Sequence, residues 1–429
     1  MSAGEQETDL LARDRAHLWH PYTQHGAEGD PLVVTAARGS LLVLADGREL
    51  IDAISSWWAC LHGHGHPRIV AAMCAQMERL DHVLFAGATH EPAVRLAEEL
   101  VARAPGDLTR VFFSDDGSTA VEVALKMVVQ SWLHAGEPER RVFVALEGGY
   151  HGDTFGAMAA SDPEPFFRAF VPLLFEVRRV PPDAVAMGAV LDQLGPRAAG
   201  VILEPLVQGA AGMRMHPPEF LRAVRALCDE RGLPWIADEV MTGFGRTGRL
   251  FACDAAGVAP DLMCLAKGLS GGAFPIAATL ATERVFEAFL APDRARAFFH
   301  GHTFSAHPVG CAAALASLAL CDEERTPQRL DAIGLCIEAG LAERLGAGAG
   351  ARGLRRTGGI VALDLAPPAG EAAGYLASHA PRLRAAAVER GVLLRPLGTA
   401  LYAMPPASTT EAQCDRIAAV MAELAQLAP

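Results

Sequence analysis

Between about residues 90 and 320 the chain alternates short apolar runs with amphipathic helical stretches, and this pattern narrows the possible folds most. Val111–Ser114, Val142–Leu146 and Val201–Glu204 read as strands, while Val94–Arg103, Ala120–Leu133 and Glu219–Glu230 read as helices. Continuously apolar runs separated by helix-length segments are what βαβ units require, so an α/β fold with a mostly parallel central sheet and helices on both faces is expected. Two further runs end in opposite charges. Pro234-Trp235-Ile236-Ala237 leads into Asp238, and Leu262–Ala266 leads into Lys267-Gly268. Open α/β sheets bind ligands at the carboxyl ends of their strands. A lysine there is costly to bury unless it is paired or chemically used.

Outside this stretch the pattern changes. Asp46-Gly47 reads as a hairpin turn between strands Ser40–Ala45 and Glu49–Ile54, and Pro67 opens a helix over Arg68–Leu80. After Pro327 come a helix at Gln328–Leu345, short strands near Ile360–Leu365, Val392–Arg395 and Ala400–Met404, and a last helix at Thr410–Leu427. A chain of 429 residues exceeds what one core usually holds. The expected division is an N-terminal segment (1–65) contributing to a small α+β lobe, a large domain (66–326) and a C-terminal small domain (327–429). Residues up to Leu18 read as a mobile leader.

Composition excludes some classes. A net charge of −13 with no long Lys/Arg cluster argues against a nucleic-acid surface. Nine scattered cysteines without a CxxC pair read as reduced thiols. The polar Met1–Arg13 segment is unlike a secretory signal, and the apolar Cys311–Cys321 helix is too short to span a bilayer. A cytoplasmic enzyme with no membrane partner is expected.

Several constellations compete for the chemistry. Asp238 and Lys267 could form a structural ion pair, or divide between the ring nitrogen and the aldehyde of pyridoxal phosphate (PLP). Ser114–Thr119 feeds the Ala120–Leu133 helix through Gly117 and Ser118, a turn suited to a phosphate, although Thr119 with Glu122 would equally make a capping box. Gly243–Gly248 has the letters of a dinucleotide fingerprint, yet Arg249–Pro260 lacks the long helix that would receive a pyrophosphate. His62, His64 and His66 alternate with glycines; a metal site is one reading and a glycine-rich turn before Pro67 the other. Trp57-Trp58, read as extended, would send one ring to the core and one to a pocket. Arg395, before Pro396, could take a substrate carboxylate or form a lobe-stabilising salt bridge.

Together, Asp238-Glu239-Val240-Met241-Thr242-Gly243 through Gly248, followed by Lys267-Gly268-Leu269-Ser270-Gly271-Gly272, resemble the signature of the class III, fold type I PLP-dependent aminotransferases. The segments Trp19–Thr23, Ser56-Trp57-Trp58, Gly149–Met158, Glu204–Gly209, Arg395-Pro396 and Leu401–Pro406 resemble the branch of that class that serves biotin synthesis. The resemblance implies a homodimer with active sites at the interface, and PLP as cofactor. It implies S-adenosyl-L-methionine and 8-amino-7-oxononanoate as substrates. Other class III ω-aminotransferases, with ornithine, 4-aminobutyrate or lysine as donor, are the alternative. By the same resemblance Lys267 forms the Schiff base and moves protons, Asp238 meets the ring nitrogen and Tyr150 stacks on the ring. Gly117, Ser118 and a Thr303 from the neighbouring subunit hold the phosphate. Tyr22, Trp57, Trp58, Asp153, Gly301 and Tyr402 shape the substrate pocket, and Arg395 holds a carboxylate. Three positions depart from the family's pattern: Asp116 before the Gly-Ser pair, His302 before Thr303, and Gly268 after the lysine.

Overall fold

The computed structural model of the chain describes residues 3–345, 351–371 and 373–427. Its centre is a seven-stranded sheet in the order Leu108–Ser114, Ala277–Thr282, Leu262–Leu265, Trp235–Asp238, Ala198–Leu203, Val142–Leu146, Val177–Val180. Five neighbouring strands run parallel, and Ala277–Thr282 runs antiparallel to both of its neighbours. The expected mostly parallel sheet is therefore present, with one reversed strand. Val142–Leu146, Ala198–Leu203, Trp235–Asp238 and Leu262–Leu265 are buried at every position. That burial is why they read as unbroken apolar runs rather than as alternating strands.

Helices cover the sheet. Pro308–Glu323 packs on Pro67–Arg79 and Glu91–Arg103, while Gly117–His134 lies against the strands Leu262–Leu265 and Ala277–Thr282. Proline stands in the first turn of the first three of these helices, where its missing N–H costs nothing.

The chain ends meet. The hairpin Leu41–Leu44 with Glu49–Asp52 joins a four-stranded sheet completed by Val392–Leu393, which runs parallel to Glu49–Asp52. A three-stranded sheet of Ala351–Thr357, Ile360–Leu365 and Ala400–Ala403 lies beside it in sequence, and Thr326–Arg344 packs on the final helix Glu411–Leu427.

Two expectations are corrected. The leader is a helix, Ala3–His17, whose Asp14 carboxylate meets His20 Nε2 at 2.9 Å. It escaped notice because its few apolar residues make no helical stripe. The Trp pair is not extended: Ser55, Ser56, Trp57 and Trp58 have φ of 50°, 44°, 73° and 74°, a left-handed turn. Among the described residues no helix is long and apolar enough to cross a membrane.

Candidate active site

Asp238 closes its strand directly opposite Cys264, three residues before Lys267 on the neighbouring strand. Both side chains thus leave the same edge of the sheet. The Asp238 carboxylate is buried, with Oδ2 2.6 Å from His151 Nδ1 and Oδ1 accepting the Val240 N–H at 3.1 Å. His151 comes from the loop after Val142–Leu146, and its Nε2 is buried with no hydrogen-bond partner. Glu204, just past the end of Ala198–Leu203, accepts the N–H groups of Tyr150 at 3.0 Å and Gly209 at 2.8 Å. Burial pushes its carboxyl up to about 7.

Lys267 has a φ of 42° and opens the short turn Lys267–Ser270. Its Nζ lies 4.5 Å from the centre of the Trp58 ring. Burial lowers its ammonium to about 8, against the opposing pull of Asp238 and Glu204. No hydrogen bond or ion pair joins it to Asp238, so the reading of these two charges as a structural salt bridge does not hold.

The helix Gly117–His134 begins beside them. Asp116 caps it by accepting the Thr119 N–H at 2.9 Å, and Thr119 Oγ1 accepts the Asp116 N–H at 3.3 Å. The capping box is therefore Asp116 with Thr119, not Thr119 with Glu122. Glu122 instead accepts Gly156 N–H at 2.5 Å and Ala157 N–H at 3.3 Å, starting the next helix. Ser118 Oγ lies 2.8 Å from Thr154 Oγ1 and accepts the Thr154 N–H at 2.9 Å. This close seating needs Gly152: its φ is +125°, and a Cβ there would fall 2.4 Å from Ser118 Oγ. Asp115 turns to His302, whose Nε2 lies 3.4 Å from its Oδ1.

An aromatic pocket continues from Lys267. Trp58 is 5% exposed and donates its Nε1–H to the Tyr402 hydroxyl at 2.8 Å, whereas Trp57 is 39% exposed. The Arg395 guanidinium sits 4.4 Å from the Trp57 ring centre, and Tyr22 meets Trp57 edge-on at 5.6 Å. Arg395 has one hydrogen bond, to the Tyr375 hydroxyl at 3.3 Å, and no carboxylate partner among the described residues. Asp153 Oδ1 accepts the Tyr22 hydroxyl at 2.7 Å and the Tyr150 hydroxyl at 3.1 Å. Burial raises both phenols, so they stay neutral donors. The Tyr150 ring stacks on Phe167 at 6.1 Å. Gly301 and Thr303 are exposed, the latter in a turn, and hydrogen-bond to none of the other expected site residues.

The structure thus gathers Lys267, Trp58 and Tyr402 at one end, and Arg395, Trp57 and Tyr22 at the other. It adds His151, Glu204, Tyr375 and Phe166, whose ring meets Tyr22 at 5.5 Å and Tyr375 at 4.6 Å, none of which the sequence assigns a role. His151 lies inside the Gly149–Met158 segment, but its partner Asp238 is 87 positions away. The rival motifs dissolve. His62 pairs with Ser317 and Thr326, His64 with Asp52 and His66 with Glu324, and no metal-binding group occurs among the described residues. Gly243–Gly248 is followed only by the four-residue helix Cys253–Ala256.

The donor set fits PLP. An amine without a polar partner among the described residues, a buried carboxylate on the adjacent strand end and a helix N-terminus with N–H groups to offer match an aldehyde, a pyridine nitrogen and a phosphate.

Comparison with known proteins agrees. Residues 22–424 match the family model for class III aminotransferases. The chain is 49% identical to an adenosylmethionine-8-amino-7-oxononanoate aminotransferase of Synechococcus elongatus, over 95% of this chain and 98% of the relative. It is similar to the crystal structure of an enzyme of that name from Methanocaldococcus jannaschii, with a TM-score of 0.94, 33% identity and coverage of 98% and 99%. It is also similar to a PLP-bound amine transaminase from an uncultivated Pseudomonas species, with a TM-score of 0.86, 31% identity and coverage of 96% and 98%. The chain belongs to the class III aminotransferases, enzymes that work with pyridoxal phosphate.

Proposed function

We propose that this chain is the aminotransferase of biotin synthesis that moves the amino group of S-adenosyl-L-methionine to 8-amino-7-oxononanoate, giving 7,8-diaminononanoate. One observation carries the acceptor assignment. Arg395 is a guanidinium with no carboxylate partner among the described residues, held over Trp57, which is next in the chain to the Trp58 ring that meets Lys267. An acceptor with its reacting ketone several carbons from its carboxylate needs a cation at that remove, and planar walls tolerate both its alkyl chain and a nucleoside.

When bound, the cofactor supplies a carbonyl carbon for the lysine and a pyridinium ring that takes up electrons released at the substrate carbon. The chain's own residues do the rest. With its ammonium lowered to about 8, Lys267 offers a sizeable neutral fraction near pH 7.5, and a neutral amine is needed both to attack and to accept a proton. Asp238 would keep a proton on the ring nitrogen, and His151 Nδ1 holds that carboxylate in place. The N–H groups of Gly117 and Ser118, at the positive end of their helix, would hold the phosphate. Thr303 of the partner subunit completes that cradle in a homodimer. Tyr150 would cover the ring, its hydroxyl oriented by Asp153. Tyr22, Trp57, Trp58 and Tyr402 line the path to Arg395, with Gly301 at the dimer seam. The nine free cysteines accord with a cytoplasmic location.

The test is a donor half-reaction on the holoenzyme. S-adenosyl-L-methionine abolishes the visible band of the lysine-bound cofactor, and 8-amino-7-oxononanoate restores it. Loss of the band with lysine or a simple diamine, but not with the sulfonium donor, would overturn the donor assignment.

A further inference from the structure

The Trp57–Trp58 turn is the most strained segment of the site. Ser55, Ser56, Trp57 and Trp58 all occupy the left-handed region, with φ between 44° and 74°. Non-glycine residues visit that region singly, and a run of them persists only where neighbours over-determine it. The strand Glu49–Asp52 supplies the neighbour on one side. Asp52, 0% exposed, accepts four hydrogen bonds. Its Oδ1 takes Ser56 N–H at 2.9 Å and Ile54 N–H at 3.3 Å; its Oδ2 takes the Ser56 hydroxyl at 2.7 Å and His64 Nε2 at 2.8 Å. On the other side the buried Arg246 guanidinium donates to the carbonyls of Trp58 at 3.4 Å, Cys60 at 3.1 Å and Pro405 at 3.0 Å.

A buried carboxylate needs a counter-charge, and among the described residues His64 is the one cationic side chain hydrogen-bonded to Asp52. The two indoles differ in how far they depend on this clamp. Trp58 has a second anchor in Tyr402, whereas the ring contacts of Trp57 among the described residues are with Tyr22 and the Arg395 guanidinium. Loosening the turn therefore displaces Trp57 first, and with it the support under the Arg395 guanidinium.

We propose that Asp52, with His64 as its counter-cation, is a positioning residue for substrate selection: the pair locks the left-handed turn and so sets where Trp57 holds Arg395 for the acceptor's carboxylate. This rests on reading the pocket as one for a long-chain carboxylate. The experiment uses holoenzyme carrying Asp52→Asn or His64→Gln, the latter keeping a neutral donor toward Asp52. It measures the affinity for nonanoate, an unreactive nine-carbon carboxylate, together with the two half-reactions and the melting temperature. Losing a charge-assisted contact that orients the wall weakens nonanoate binding and raises the KM for 8-amino-7-oxononanoate about tenfold in Asp52→Asn, with a smaller effect in His64→Gln. The rate of the donor half-reaction stays within about twofold, because Trp58 keeps its own anchor. If Asp52→Asn does not fold, His64→Gln alone decides. Unchanged nonanoate affinity, or equal losses in both half-reactions tracking a fall in melting temperature, would overturn the proposal. Wild-type protein that does not bind nonanoate at all would instead sink the long-carboxylate reading beneath it.

Discussion

The two ends of the pocket are built in opposite ways. At the Lys267 end the chemistry-bearing groups sit on or just past adjacent strands of the large sheet, and register alone brings Asp238 and Lys267 to one edge. At the Arg395 end nothing is local: Tyr22, Trp57, Phe166, Tyr375 and Arg395 come from distant parts of the chain and meet through ring contacts. The first end is built on the buried strand ends of the sheet. The second is held by side chains and a strained turn, and that suits an end that must accept two unlike substrates in succession. We propose that reaction belongs to one end and recognition to the other.

Lys267→Ala is expected to break the reaction end outright. Losing both the attacking amine and the proton carrier lowers either half-reaction by roughly a thousandfold or more, read by single-turnover spectra. Asp238→Asn comes next. It withdraws the charge that holds the ring-nitrogen proton, and a loss of roughly a hundredfold is expected in both half-reactions. Arg395→Ala should separate the two ends instead. It removes charge-assisted bonds worth about 1.5–3 kcal/mol, which is roughly ten- to 150-fold in the acceptor KM, with the donor half-reaction nearly intact.

Smaller effects sharpen the picture. Ser118→Ala should weaken cofactor binding by less than about tenfold, measured by reconstitution of apoenzyme, since backbone N–H groups remain to the phosphate. The Asp52–His64 pair gives a pH signature. Its hydrogen bond to Asp52 raises the His64 imidazolium to about 10, above its ordinary 6.5. A group raised in the folded state stabilises it fully below the unfolded value, and that contribution is lost as pH climbs through the folded one. The gap in melting temperature between wild type and His64→Gln should therefore narrow from about pH 6.5 to about pH 10.

The reaction end was largely legible in the sequence, because a buried parallel strand leaves an unbroken apolar run and a charge at its end stands out. Strand Val142–Leu146 has the predicted bounds, and helix Pro218–Arg231 lies within one residue of them. The conformation of the Trp pair was not legible. Propensity assigns two adjacent tryptophans to a strand, and what forces them left-handed is a carboxylate earlier in the chain and an arginine nearly two hundred residues later. The same arginine explains why Gly243–Gly248 imitates a dinucleotide site: those letters serve a buried clamp on backbone carbonyls. His151 was hidden because its partner is distant in sequence, and the leader helix because it has no apolar stripe. The alternation of His62, His64 and His66 pointed to one face and one ligand, but side-chain contacts send each ring to a different partner.

The division of labour between the two ends can be tested in one comparison. Holoenzyme and its Arg395→Ala variant are each mixed with S-adenosyl-L-methionine, and then with 8-amino-7-oxononanoate, while the cofactor spectrum is followed. The account predicts equal loss of the visible band in both proteins on the first addition, and its return only in the wild type at modest acceptor concentration. Slowing of both steps to the same degree in the variant would contradict it.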